Sequence, residues 1–218
     1  MVAMGGPQAK TTWPSADRRI PLAALALLFL VSGFAALVYQ VVWQRSLFAI
    51  YGVNIESVTI IVTAFLLGLG FGSLAGGRLS RSDTRSPLTI FGLLELAIGA
   101  FGVVSLELFQ RVGTLTGGRS PLVTAAACFA LLLVPTALMG ATLPLLVAHS
   151  VRRLHNVGRS VALLYFVNTL GSALASFATA VVLLGHLGQR RTILLAAVLN
   201  AVVGSTALLW KTREASRP

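Results

Sequence analysis

The sequence predicts an all-α membrane protein, a polytopic bundle of six transmembrane helices with both termini on the cytoplasmic side. Three observations carry that expectation. Of the 218 residues, 56% are hydrophobic and only 11% are charged, whereas a soluble domain is about 25% charged. A soluble body so poor in charge would expose more apolar surface than water tolerates. Six apolar runs are each long enough to cross a hydrocarbon core of ~30 Å at ~1.5 Å per residue. The basic residues lie in short clusters between those runs, 17 Lys and Arg against 6 Asp and Glu, for a net charge of +11. Composition therefore excludes a soluble globular enzyme, a disordered tail and a disulfide scaffold.

Taken in order, residues 1–19 are polar and read as a mobile cytoplasmic tail. The first run, 20–42, is too long for the apolar part of a signal peptide and lacks a small-residue cleavage pattern, so it reads as a retained span. The remaining spans are expected at 57–78, 87–109, 122–149, 160–185 and 191–210. The transmembrane domain is thus 20–210, followed by a cytoplasmic tail at 211–218. The fourth and fifth runs are long, which implies tilt or breaks. Lipid cannot satisfy a free backbone, so the spans are helices, and no ~10-residue alternating segments of a β-barrel occur.

Orientation follows from loop charge. With the N-terminus inside, twelve basic residues face the cytoplasm, among them Arg18, Arg19, Arg78, Arg81, Arg152 and Arg159. Five face the other side: Arg45, Arg111, Arg119, Arg190 and Arg191. That satisfies the positive-inside rule and places the chain in a bacterial inner membrane. The inner cluster suits anionic lipid headgroups, and this accounts for the basic composition without nucleic acid as a partner.

One acidic residue stands deep inside a span. Glu95 lies about 12 Å into the third run, where a carboxyl normally faces the bundle interior or a wet cavity. A proton or cation site and a structural, hydrogen-bonded carboxyl are both consistent with it. Ser32, Thr136 after Pro135, Asn168, Thr169 and Asn200 fall at comparable depth. Such a midplane polar layer beside helices broken by Pro or Gly is where carriers bind solutes, or it serves interhelical hydrogen bonding. Gly68, Gly72 and Gly76 form two overlapping G-x-x-x-G pairs, a smooth face for close helix approach. Gly171 begins a similar small-residue face in the fifth run. The string LGFGSLA at Leu69–Ala75 echoes LGSALA at Leu170–Ala175, a trace of the kind left by a three-plus-three repeat. Tyr39, Gln40, Trp43 and Arg45 read as an interfacial anchor at the outer end of the first span, with an outer gate as the alternative.

Other chemistry is not expected. Cys128, the single cysteine, reads as a small buried hydrophobe. His149, His155 and His186 fall at opposite faces and cannot share a metal. Asp17 and Asp83 lie outside the spans, and no zinc-hydrolase or nucleophile-elbow motif is present. The G-x-G-x-x-A match at Gly70–Ala75 has no preceding strand, so it is not a dinucleotide site. No enzyme activity, metal or cofactor is therefore expected.

Six strings in order carry a resemblance: Val31–Arg45 (VSGFAALVYQVVWQR), Phe65–Ser73 (FLLGLGFGS), Gly76–Leu79 (GGRL), Gly92–Leu96 (GLLEL), Pro135–Pro144 (PTALMGATLP) and Leu164–Gly171 (LYFVNTLG). Together they resemble the membrane part of the fused major-facilitator/spermidine-synthase-like proteins, over about residues 25–205. The resemblance implies a bundle like half of a major-facilitator carrier. It also implies a separate aminopropyltransferase-like domain, which these 218 residues do not contain. The family commonly has Glu after the tyrosine, where this chain has Gln40. Glu95, Asn168 and the Pro135–Thr136 break match the family pattern, and Gln40 marks the position of its missing carboxylate. Two functions are consistent with this reading. One is a small-solute carrier component for a cation or polyamine-like solute, with Glu95, Asn168, Thr136 and Gln40 along the path and a homo-oligomer or partner completing it. The other is a non-catalytic subunit of a larger membrane complex, of which an anchor for a separate synthase-like enzyme is a special case.

Overall fold

The computed structural model describes residues 21–52, 54–81, 86–118 and 120–215, so the 1–19 tail lies outside the described residues. All regular structure among them is helical: α1 (Leu22–Tyr51), α2 (Asn54–Leu79), α3 (Pro87–Thr116), α4 (Pro121–Leu154), α5 (Val157–Ala178), a π-helical turn (Thr179–Leu183) and α6 (Leu184–Ala215).

The helices start and stop for local reasons. α1 runs nine residues past the expected end at Val42, because Gln44 and Arg45 lower the hydropathy without breaking the helix. It stops at Gly52, whose φ of 67° lets its N–H close on Phe48 O. Ser86 caps α3 by accepting from Thr89 N at 3.3 Å, with Pro87 in the first turn. Asn156 Oδ1 accepts from Arg159 N at 2.9 Å and starts α5.

The number of separate spans is corrected. Among the described residues, five helical stretches are long and apolar enough to cross a membrane, not six. The fifth and sixth expected runs form one stretch of 54 residues, Val157–Trp210. The polar string between them, 186–190, reads as a loop yet stays helical except at Gly188, whose φ of 69° and ψ of 175° break the ladder. Helical structure also continues past Trp210 to Ala215.

Contacts fix the helix directions. Ser32 meets Glu95, Tyr39 meets Gly102, Trp43 meets Ser105 and Ile50 meets Gly113, a sequence offset of 62 or 63 at the two hydrogen-bonded pairs, so α1 and α3 run parallel. Asn168 bonds to Phe29 O and Ser172 to Gly33 O, both at an offset of 139, so α5 also runs with α1. On α6 the order reverses: Gly204 meets Gly92 and Ala197 meets Gly99. α6 therefore runs against α3, and α5 and α6 are antiparallel across the bend at Gly188. Thr192 Oγ1, bonded to Leu183 O at 3.2 Å and Gly188 O at 2.7 Å, closes that bend.

Small residues set the closest approaches. A Cβ on Gly72 would collide with Ala137 O, and one on Gly76 would stand 2.5 Å from Ala141 O. α4 consumes the glycine face of α2, in the parallel sense. Likewise a Cβ on Gly171 would strike Leu30 O of α1.

Tyr39 and Trp43 are fully buried, and this corrects the interfacial-anchor reading. They stack at 5.1 Å between ring centroids, with Phe65, Phe101 and Phe109 around Trp43. Aromatic residues near the end of an apolar run resemble an interface in sequence. Here α1 extends beyond them, and they join the main core with Val42, Leu47 and Ile61. Arg45 alone of that cluster is exposed.

Candidate functional site

The site is built where α1, α3 and α6 meet. Glu95 on α3 is fully buried. Ser32 Oγ of α1 donates to its Oε1 at 2.6 Å, and Asn200 Nδ2 of α6 donates to its Oε2 at 2.7 Å. Both carboxyl oxygens are satisfied by neutral donors, and no hydrogen bond from a basic side chain to Glu95 occurs among the described residues. The fold permits this because Gly92 and Gly99, one turn to either side of Glu95, bring the α6 backbone close. Larger residues there would push Asn200 out of reach.

Ser32 and Asn200, the two partners of Glu95, both line a cavity of about 230 Å³. All six helices contribute to its wall, including Ser73 of α2, Thr142 of α4 and Asn168 of α5. Pro135 and Pro144 interrupt the hydrogen-bond ladder of α4, and Met139, Gly140 and Thr142 between them line the cavity. Pro144 has no N–H to give to Gly140 O, so this stretch of backbone is less committed to its own helix. Tyr165, which is 62% exposed, also lines the cavity.

The sequence candidates divide accordingly. Glu95, Ser32 and Asn200 form one hydrogen-bonded group, and Asn168 lines the adjoining cavity while donating to Phe29 O at 3.2 Å. Thr136 is elsewhere. It is buried on the α2–α4 contact, where its hydroxyl lies 2.8 Å from Leu132 O and 3.2 Å from Ala64 O and its side chain fills the space over Gly68. Gln40 is half-buried on α1 and does not line the cavity. Thr169 is exposed on the outer face of α5. Ser73 and Thr142 were missed from the sequence. Their only local signal is a hydroxyl beside a packing glycine or a helix-breaking proline, which is common in spans.

Two buried polar atoms near the site lack a hydrogen-bond partner: Asn200 Oδ1 and Tyr39 Oη. Among the described residues no group of three or more His, Cys, Asp or Glu could hold a metal ion. The only salt bridge described, Arg111 with Glu107 at 2.9 Å, lies on the exposed end of α3.

No family model matches the chain, and no solved structure matches it. Among curated proteins the chain is similar to polyamine aminopropyltransferase 2 of Streptomyces coelicolor, with 30% identity over 212 aligned positions. The match covers 92% of this chain and 37% of that protein, so the chain spans about a third of the length of the relative it matches. The finding is a distant link between a helical, membrane-type protein and polyamine biosynthesis.

Proposed function

We propose that this chain is the membrane module of a polyamine-handling system and binds a small cationic amine in the cavity beside Glu95. One observation carries the reading: a fully buried carboxyl held only by the neutral side chains of Ser32 and Asn200, directly behind a cavity lined by all six helices. An ionised carboxylate at that depth is costly without a positive partner, and intramembrane acids of this kind mark ion or solute pathways. At roughly 30 Å³ per water molecule, the cavity has room for a slender linear amine. The name of the Streptomyces relative supports a polyamine as the solute class.

In this reading the 54-residue stretch crosses the bilayer twice, because α5 and α6 are antiparallel, and the chain makes six passes with both ends inside. The cation-rich ends of α2 and α4, at Arg78, Arg81 and Arg152, face the cytoplasm and its anionic lipids. The packing pattern also supports an inverted three-plus-three repeat. Exchanging α1 with α4, α2 with α5 and α3 with α6 turns the parallel α1–α5 pair into the parallel α2–α4 pair and leaves the α3–α6 pair in place. The membrane is then the bacterial inner membrane, and a second copy or another membrane subunit completes the carrier.

The test is equilibrium binding of radiolabelled 1,4-diaminobutane to the protein in nanodiscs. The wild type is expected to bind saturably, and Glu95→Gln to bind at least tenfold more weakly. Equal binding by both would remove Glu95 from the site. A second reading, an anchor or accessory module for a synthase-like enzyme, is supported by the match falling on a minority of the relative's length. It predicts stable co-purification with such an enzyme and no amine binding by the isolated chain.

A further inference from the structure

Asn200 gives the carboxyl only half of its amide. Its Nδ2 donates to Glu95 Oε2 at 2.7 Å, while its Oδ1, on a residue that is 2% exposed, has no hydrogen-bond partner. Buried amide oxygens normally find a donor, so one without calls for a reason. With Glu95 ionised, turning the amide over would set Oδ1 against an acceptor oxygen. The other carboxyl oxygen already takes the Ser32 hydroxyl hydrogen at 2.6 Å. Glu95 therefore fixes the orientation of the amide, and the unused acceptor belongs to a residue of the cavity wall.

The rest of that wall has the same bias. Thr142 gives its hydroxyl hydrogen to Met139 O at 2.7 Å, and Asn168 gives an Nδ2 hydrogen to Phe29 O at 3.2 Å. Both leave oxygen acceptors behind. Gly140 O adds a backbone acceptor, since Pro144 has no N–H for it. Gly140 is itself packed so closely on α2 that a Cβ there would collide with Leu69 O. Among the described residues no charged side chain lines the cavity. An anion would find no positive group there. A primary ammonium is the complementary group, because it carries three N–H donors, a positive charge and no acceptor. The Glu95 charge reaches it through Asn200: hydrogen bonding of Nδ2 to a carboxylate polarises the amide and makes Oδ1 a stronger acceptor. A carboxyl with no exposed surface can act on a solute in this way.

We propose that Asn200 is the specificity-determining residue of the cavity: its Oδ1, together with Gly140 O and Asn168 Oδ1, accepts hydrogen bonds from a primary ammonium group, so that the site selects primary amines over N-methylated cations of equal charge. The inference deepens the proposed function and rests on it, since it takes amine binding beside Glu95 from that reading. It adds that the ammonium is held by neutral oxygens and does not touch the carboxyl.

The experiment is competition against radiolabelled 1,4-diaminobutane on the full chain in nanodiscs, with butylammonium and butyltrimethylammonium as competitors. Each carries one positive charge on the same alkyl chain, but only the first has N–H donors. On the wild type, butylammonium is expected to compete at least tenfold more strongly. In Asn200→Leu that ratio should fall below threefold. Leucine fills a similar space, so exclusion of the larger head by size alone would leave the ratio unchanged. Pro144→Ala returns an N–H to Gly140 O. It is expected to weaken butylammonium binding at least threefold, with the melting temperature unchanged or raised. Equal competition by the two cations on the wild type would overturn the proposal and leave the proposed function standing, and that comparison needs no variant to fold. An unchanged ratio in Asn200→Leu, or undiminished butylammonium binding in Pro144→Ala, would overturn it as well. Absence of saturable diamine binding by the wild type would instead sink the proposed function, and this inference with it.

Discussion

Asn200 on α6 donates to Glu95 Oε2 on α3 at 2.7 Å, at the same level where Gly92 faces Gly204 and Gly99 faces Ala197. With Ser32 on Oε1, one carboxyl ties three helices together. Truncating either donor leaves a buried oxygen unpaired, which costs about 1–3 kcal/mol. Ser32→Ala and Asn200→Ala are each expected to destabilise the bundle by that amount. The triple change Ser32→Ala, Glu95→Leu, Asn200→Leu should recover most of the loss, since apolar replacement of all partners leaves nothing unsatisfied. Thermal unfolding in detergent checks both. Two silent single variants would mean that the carboxyl is not holding the helices.

The glycines of α2 give a test with an internal control. Gly72 lies against the Ala137 backbone, whereas a Cβ on Gly70 would meet nothing within 4 Å. Gly72→Leu must separate α2 from α4 and should cost at least the 1–3 kcal/mol typical of overpacking. Gly70→Leu should change stability by less than about 0.5 kcal/mol, as surface substitutions do. Size-exclusion monodispersity and melting temperature separate them. Equal behaviour would show that the α2–α4 contact is not formed in lipid.

How legible these features were depends on how local their causes are. Glu95 was visible because one acid in an apolar run has no local explanation. Ser32 and Asn200 were visible as polar residues, but their meeting depends on the α1–α3 register and the α3–α6 crossing, which no window of sequence contains. Thr136 had the same local signature as Asn168, and only tertiary position separates a residue over Gly68 from one beside the cavity. Tyr39 and Trp43 were misplaced because amphipathic aromatics mark both membrane interfaces and buried seams. The string around Gly188 was read as a loop because its polarity resembles one, although a single positive-φ residue is enough to turn the chain.

Exposed charge is expected to matter far less than the buried carboxyl. Glu107 and Arg111 pair at 2.9 Å with both side chains more than 60% exposed. Surface i,i+4 pairs contribute about 0.3–0.5 kcal/mol. Glu107→Gln should therefore shift the melting temperature by no more than the experimental error, and added salt should not change that. A larger loss would assign Glu107 a role beyond its ion pair.

The number of crossings can be decided by labelling from either side. α5 runs with α1, and α6 runs against α3, so the stretch Val157–Trp210 turns back near Gly188. If it crosses twice, Gly158 and Lys211 lie on one side of the membrane and His186 on the other. A background without the single native thiol, Cys128→Ala, permits one cysteine at a time at these positions. Membrane-impermeant thiol reagent applied to right-side-out and inverted vesicles then reports the side of each. Gly158→Cys and Lys211→Cys are expected to react only in inverted vesicles, and His186→Cys only in right-side-out ones. Gly188→Ala should weaken that pattern or lower stability by roughly 1–3 kcal/mol, since a side chain is strained at its φ of 69°. Labelling of Gly158→Cys and Lys211→Cys from opposite sides would mean a single crossing, and with it the loss of both the six-pass arrangement and the placement of Asn200 beside Glu95.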